Sequence, residues 1–131
     1  MTENSNHKDL TGVTVLIVED NTVNVFVARK FVEKWFGNVI VADNGAMAVD
    51  MTRDHKPDII LMDLQMPIMD GYEAAAKIRE FDKVTPIIAL TASATLDTKG
   101  KTFDVGMNDY ISKPFNPNEL YGTIKKYTSS T

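Results

Sequence analysis

Cysteine is absent from this 131-residue chain, tryptophan occurs once and histidine twice. Without cysteine there is no disulfide framework, no thiolate metal site and no cysteine nucleophile, and the chain suits a reducing cytoplasm. The two histidines, His7 and His55, fall in a polar N-terminal stretch and at the end of an expected helix. Neither is placed to donate a phosphoryl group, and neither favours zinc or copper. No apolar run approaches the roughly 20 residues of a membrane span. Basic clustering is equally scarce. Nothing exceeds the pair Lys125-Lys126, and a net charge of -4 leaves no basic face for gripping nucleic acid.

What is there is an ordinary globular composition, 44% hydrophobic and 24% charged, at a length that fits one domain with a substantial core. Residues 1–12, MTENSNHKDLTG, read as a polar disordered lead-in without the apolar centre of a signal peptide. Residues 13–127 carry the periodic segments, and 128–131 form a short polar tail.

Val13 to Val18, Ile59 to Met62 and Ile87 to Leu90 are apolar runs of strand length, rich in β-branched residues. Continuous rather than alternating apolar character indicates strands covered on both faces, as in a parallel sheet. Val39 to Ala42 and Asp109 to Ser112 are weaker strands of the same kind. Helix-length segments separate them. One runs from Asn21 or Thr22 to Trp35, ended by Gly37-Asn38. Another is capped by Asn44 and stopped by Pro57. A third opens on the capping-box pattern Asp70-Gly71-Tyr72-Glu73, and the last on Asn116-Pro117-Asn118-Glu119. The segment from Ala94 to Val105 is a weaker helix, diluted by Gly100 and three threonines. Five β-α repeats imply right-handed crossovers. The expected fold is a doubly wound α/β domain, five parallel strands in the flavodoxin-like order 2-1-3-4-5 with helices on both faces.

Ligands in such folds bind beyond the carboxyl ends of the strands. Glu19-Asp20 follow the first strand, Asp63 the third, Thr91 the fourth and Lys113 the fifth. The first and third strands are neighbours in this order, so Glu19, Asp20 and Asp63 should converge. Three carboxylates in one pocket repel unless a cation and an ammonium relieve them. Lys113 can be the ammonium. A hard divalent cation with few protein ligands and retained waters points to Mg²⁺. Cation, lysine and the Thr91 hydroxyl together would neutralise a phosphoryl group, with Asp63 as the nucleophile forming an aspartyl phosphate. Singly the residues mean less. Asp20 alone is better explained as a helix cap, Lys113 as a surface lysine, and Asp70 as the cap of its helix.

The stretches VLIVEDN (15–21), LMDLQMPIMDG (61–71), PIIALTA (86–92) and DYISKPF (109–115), in this order and spacing, resemble the receiver domain of two-component response regulators. The resemblance covers nearly the whole chain, and EDN-x-VN with LMDLQMPIMDGYEA looks most like receivers of hybrid sensor histidine kinases. It implies Asp63 as phosphoacceptor, Asp20 as direct Mg²⁺ ligand and Glu19 as an acid reaching the metal through water. It further implies the Gln65 backbone carbonyl in the metal shell, Thr91 as switch hydroxyl, Lys113 as phosphoryl-binding lysine and Tyr110 as the aromatic that swings inward. The Lys113-Pro114 bond is cis in the family. Val25 departs from the glutamine common after EDN-x-VN, and Ser93 with Gln65 leaves the phosphoryl lifetime open.

The implied function is a phosphoacceptor switch in a phosphorelay. A sensor histidine kinase or a histidine phosphotransfer protein would be the donor, and the response surface would lie at the fourth helix, fifth strand and fifth helix. Such a domain turns over only its own phosphoryl group. The alternative is a Mg²⁺-dependent phosphohydrolase with an aspartyl phosphate. Those enzymes carry Asp-x-Asp, where this chain has Gln65, which cannot serve as acid or base. The segment DLTGVTVLIVEDN (9–21) resembles the approach to a hybrid kinase's receiver, whereas Met1 suits a separate start. With no output domain in the sequence, the output is expected in another protein or in a parent chain.

Overall fold

The computed structural model describes residues 8–92 and 95–129. Its elements alternate as expected: β1 (Thr14–Val18), α1 (Thr22–Lys34), β2 (Asn38–Ala42), α2 (Gly45–His55), β3 (Ile59–Asp63), α3 (Gly71–Arg79), β4 (Ile87–Thr91), α4 (Leu96–Asp104), β5 (Asp109–Ser112) and α5 (Pro117–Thr128). All pairings are parallel, in the order β2-β1-β3-β4-β5.

The apolar strand runs resolve into two cores by simple alternation, since successive side chains of a strand point to opposite faces. Val15, Ile17, Ile59, Leu61, Ile88 and Leu90 face α1 and α5, where they meet Ala28, Val32, Leu120 and Ile124. Leu16, Val18, Ile60, Met62, Ile87 and Ala89 face the other way, onto Ala48 of α2 and Ala74, Ala75 and Ile78 of α3. Each fully buried isoleucine or leucine contributes about 1.5–3 kcal/mol of transfer free energy, so both faces hold the sheet.

The helix starts follow the capping residues read in the sequence. Asn44 accepts from the Met47 N–H, Asp70 from the Glu73 N–H, and Asn116 from the N–H groups of Asn118 and Glu119, with proline in the first turn. Two points differ. The fourth helix was expected from Ala94, which lies outside the described residues with Ser93. Its observed start is Leu96, because the Thr95 side chain accepts from the Thr98 N–H and caps it there. The expected lead-in is packed at its end: Leu10 is fully buried, and its N–H donates to the Trp35 carbonyl at 2.6 Å. A single leucine in a polar stretch has no period to betray it. His7 and the rest of 1–7 lie outside the described residues, as do 130 and 131. His55 is exposed, as expected. No helix among the described residues is long and apolar enough to cross a membrane.

Candidate functional site

Register brings the strand ends together. β1 and β3 are aligned with Val18 opposite Met62, so Glu19 and Asp63 emerge side by side. β4 and β5 are aligned with Thr91 opposite Ser112, and the Lys113 N–H donates to the Thr91 carbonyl at 2.8 Å. Glu19, Asp63 and Thr91 are all buried, while Asp20 is exposed. Ligand oxygens of Glu19, Asp20 and Asp63 lie within 4.8 Å of one another. Asp20 does not cap the first helix: that role falls to Asn21, whose Oδ1 accepts from the Asn24 N–H at 3.0 Å. The Asp20 carboxylate is left to the cluster.

Lys113 reaches across from β5. Its Nζ donates to Glu19 Oε1 at 2.8 Å and lies 3.3 Å from Asp63 Oδ2. Burial raises the Glu19 carboxyl above the usual range, and the adjoining Asp63 adds to this against the opposing hydrogen bond from Lys113. Burial alone would lower the Lys113 ammonium. The hydrogen bond to Glu19 and the charges of Asp63 and Glu19 more than offset it, leaving the lysine raised and charged. The Lys113–Pro114 peptide is cis. One ammonium thus faces three carboxylates, a donor set of hard oxygens that fits Mg²⁺.

The loop after β3 is shaped by two close approaches. A Cβ on Gly71 would lie 2.3 Å from the Asp63 carbonyl oxygen, and one on Gly45 would lie 2.5 Å from that of Met69. Only glycine lets the starts of α3 and α2 pack so tightly on this loop. The Gly71 N–H donates to the Leu64 carbonyl and the Gly45 N–H to that of Met69. Met66 and Met69 pack against the second core, and Met62 lies within it. The Gln65 N–H donates to Asp63 Oδ1 at 3.2 Å, which orients the carboxylate. Tyr110 stands opposite Ala89 in the ladder and is half-buried. The packing role of Gly71 was missed in the sequence, although an Asp-Gly pair just past a strand and its loop was a signal for it.

A parallel sheet whose carboxyl edge gathers three carboxylates, a lysine and a buried threonine defines a phosphoacceptor-type α/β domain. The sequence model of the response regulator receiver domain matches residues 15–125. The chain is 34% identical over 130 residues to the transcription factor SKN7 of Saccharomyces cerevisiae, covering 97% of this chain and 21% of that protein. Two solved structures are similar. One is the receiver domain of the sensor histidine kinase PA1611 of Pseudomonas aeruginosa PAO1, with magnesium coordinated in its active site cleft. It is 36% identical with a TM-score of 0.85, over 92% of this chain and 100% of that one. The other is the receiver domain of the response regulator Ssk1 of Saccharomyces cerevisiae, in complex with the histidine phosphotransfer protein Ypd1. It is 35% identical with a TM-score of 0.86, over 92% of each chain. The chain belongs to the response regulator receiver domain family, a phosphoacceptor signalling domain of phosphorelay systems. It spans about a fifth or less of the length of the curated relatives it matches.

Proposed function

We propose that residues 13–127 work in the cytoplasm as a receiver unit in which Asp63 accepts a phosphoryl group from a phosphohistidine. The convergence of Asp63 with Lys113 and two further carboxylates carries this reading. An Asp63 oxygen attacks phosphorus, the O–P bond forms as the P–N bond breaks, and the imidazole leaves carrying a proton. Lys113, already charged and 3.3 Å from Asp63, swings its ammonium from carboxylate to phosphoryl oxygen. The Thr91 hydroxyl donates to another of those oxygens, which draws Tyr110 inward and alters the surface of α4, β5 and α5. Asp20, Asp63, Glu19 through water and the Gln65 carbonyl would hold Mg²⁺. When bound, the ion would offset the charge on the phosphoryl oxygens.

The donor is a sensor histidine kinase or a histidine phosphotransfer protein, a reading supported by the Ssk1 receiver's complex with Ypd1. The chain turns over only its own phosphoryl group, by slow hydrolysis. Gln65, two residues past the nucleophile, has no acid or base to speed that step, which argues against a phosphohydrolase. The test is transfer from a purified, radiolabelled histidine phosphotransfer protein. Label should leave the histidine and appear on this chain at no more than one per molecule. Multiple-turnover hydrolysis of free phosphomonoesters would instead establish the phosphohydrolase.

A further inference from the structure

Tyr110 and Thr91 share one face of the sheet. Ala89 pairs with Tyr110 and Thr91 with Ser112, so the two residues are neighbours on that face, one ladder step apart. Across the ring's face lies Lys99 of α4, its Nζ 4.8 Å from the ring centroid. Both side chains are half-buried. Lys101, on the same helix, pairs with Asp97 at 3.6 Å, but among the described residues no carboxylate pairs with Lys99. Its ammonium is therefore directed to the negative face of the tyrosine ring, the interaction such a ring offers a cation. α4 itself is lightly held, with Thr102 its only buried residue, and the Lys99–Tyr110 contact links this helix to β5.

We propose that Lys99 is a positioning residue for the Tyr110 ring. By capping the ring's face it holds the aromatic against α4, and a swing toward Thr91 must first give up the contact. Lys99 so sets how readily the ring moves when Asp63 is phosphorylated, which rests on the function proposed above. A contact of this kind shifts a two-position equilibrium by about two- to fivefold at a partly exposed site.

The test labels the chain with 3-fluorotyrosine and follows the Tyr110 resonance by fluorine NMR, assigned through Tyr110→Phe. Spectra are taken with Mg²⁺ and rising acetyl phosphate, with intact mass read in parallel. Lys99→Met keeps the stem and removes the charge. Lys99→Arg keeps the charge and should restore wild-type behaviour. Lys99→Met should move the Tyr110 resonance alone among the tyrosines and bring the ring to its phosphorylated position at about two- to fivefold lower phosphorylated fraction. Wild type and Lys99→Met giving the same Tyr110 titration, with normal phosphorylation of both, would overturn the role of Lys99 while leaving the phosphoacceptor site standing. A wild-type ring that stays still while the adduct forms would overturn both Lys99 and the ring's movement. Absence of the adduct would overturn the phosphoacceptor reading itself.

Discussion

One ammonium against three carboxylates is an unbalanced arrangement, and residue-level predictions follow from that imbalance. Without metal, Asp63 and Glu19 repel each other at the sheet edge, with Lys113 shared between them. Asp63→Asn should therefore raise the metal-free stability by up to about 1 kcal/mol, because it removes repulsion from two carboxylates against one contact with Lys113. Mg²⁺ should act unequally on the two proteins. At a hundredfold excess over its dissociation constant it would add about 2.7 kcal/mol to the wild type and much less to Asp63→Asn. Urea denaturation with and without Mg²⁺ measures both effects, and a variant less stable than wild type in the metal-free state would contradict them. These residues were legible in the sequence because a parallel α/β fold sends every strand's end to one edge. What could not be read was which residue caps α1. Asp20 and Asn21 are adjacent and both are good caps, and only the backbone turn assigns the cap to Asn21.

At the scale of elements, the glycines of α3 and α4 have opposite roles. A Cβ on Gly100 meets nothing within 4 Å, so Gly100→Ala should stabilise α4 by up to about 1 kcal/mol through helix propensity. Gly71→Ala meets the Asp63 carbonyl and should cost about 1–3 kcal/mol while disturbing phosphoacceptance. Thermal or urea unfolding of the pair separates the two cases. The turn after α3 carries a pH-dependent contribution. Burial alone would raise the Asp82 carboxyl, but the Thr85 hydroxyl, the N–H groups of Thr85 and Val84 and the Arg79 charge hold it below its usual range. A depressed carboxyl stabilises the fold above its unfolded value, and that contribution is lost as pH falls through the folded one. Asp82→Asn should cost about 1–2 kcal/mol at neutral pH, with the gap to wild type closing in acid. Denaturation at both pH values decides this, and a gap that widens in acid would contradict it.

Most elements were legible because strand runs are apolar nearly throughout and three helices, α2, α3 and α5, announce their caps. α4 is the weakest of the five, with Gly100 and its threonines, and its start had to come from the Thr95 side chain. Leu10 escaped notice because its burial depends on Trp35 and the first core, contacts with no local signature.

At the scale of the molecule, the sheet divides labour between its two faces and its two ends. α1 and α5 cover one face, α2 and α3 the other, and the chain crosses between the sides at β1 and β3, where Glu19 and Asp63 meet. That crossing opens the crevice in which the candidate chemistry sits. The fold order and the residues at that crevice were both legible, since alternation and strand ends are local features. The Lys99–Tyr110 contact was not, since it depends on how α4 lies across β5. The central claim is that this edge accepts one phosphoryl group, and the most direct measurement is intact mass and peptide mapping after incubation with Mg²⁺ and acetyl phosphate. The expected result is a single phosphoryl adduct located on Asp63, absent from Asp63→Asn. No adduct on the wild type, or an equal adduct on the variant, would contradict it.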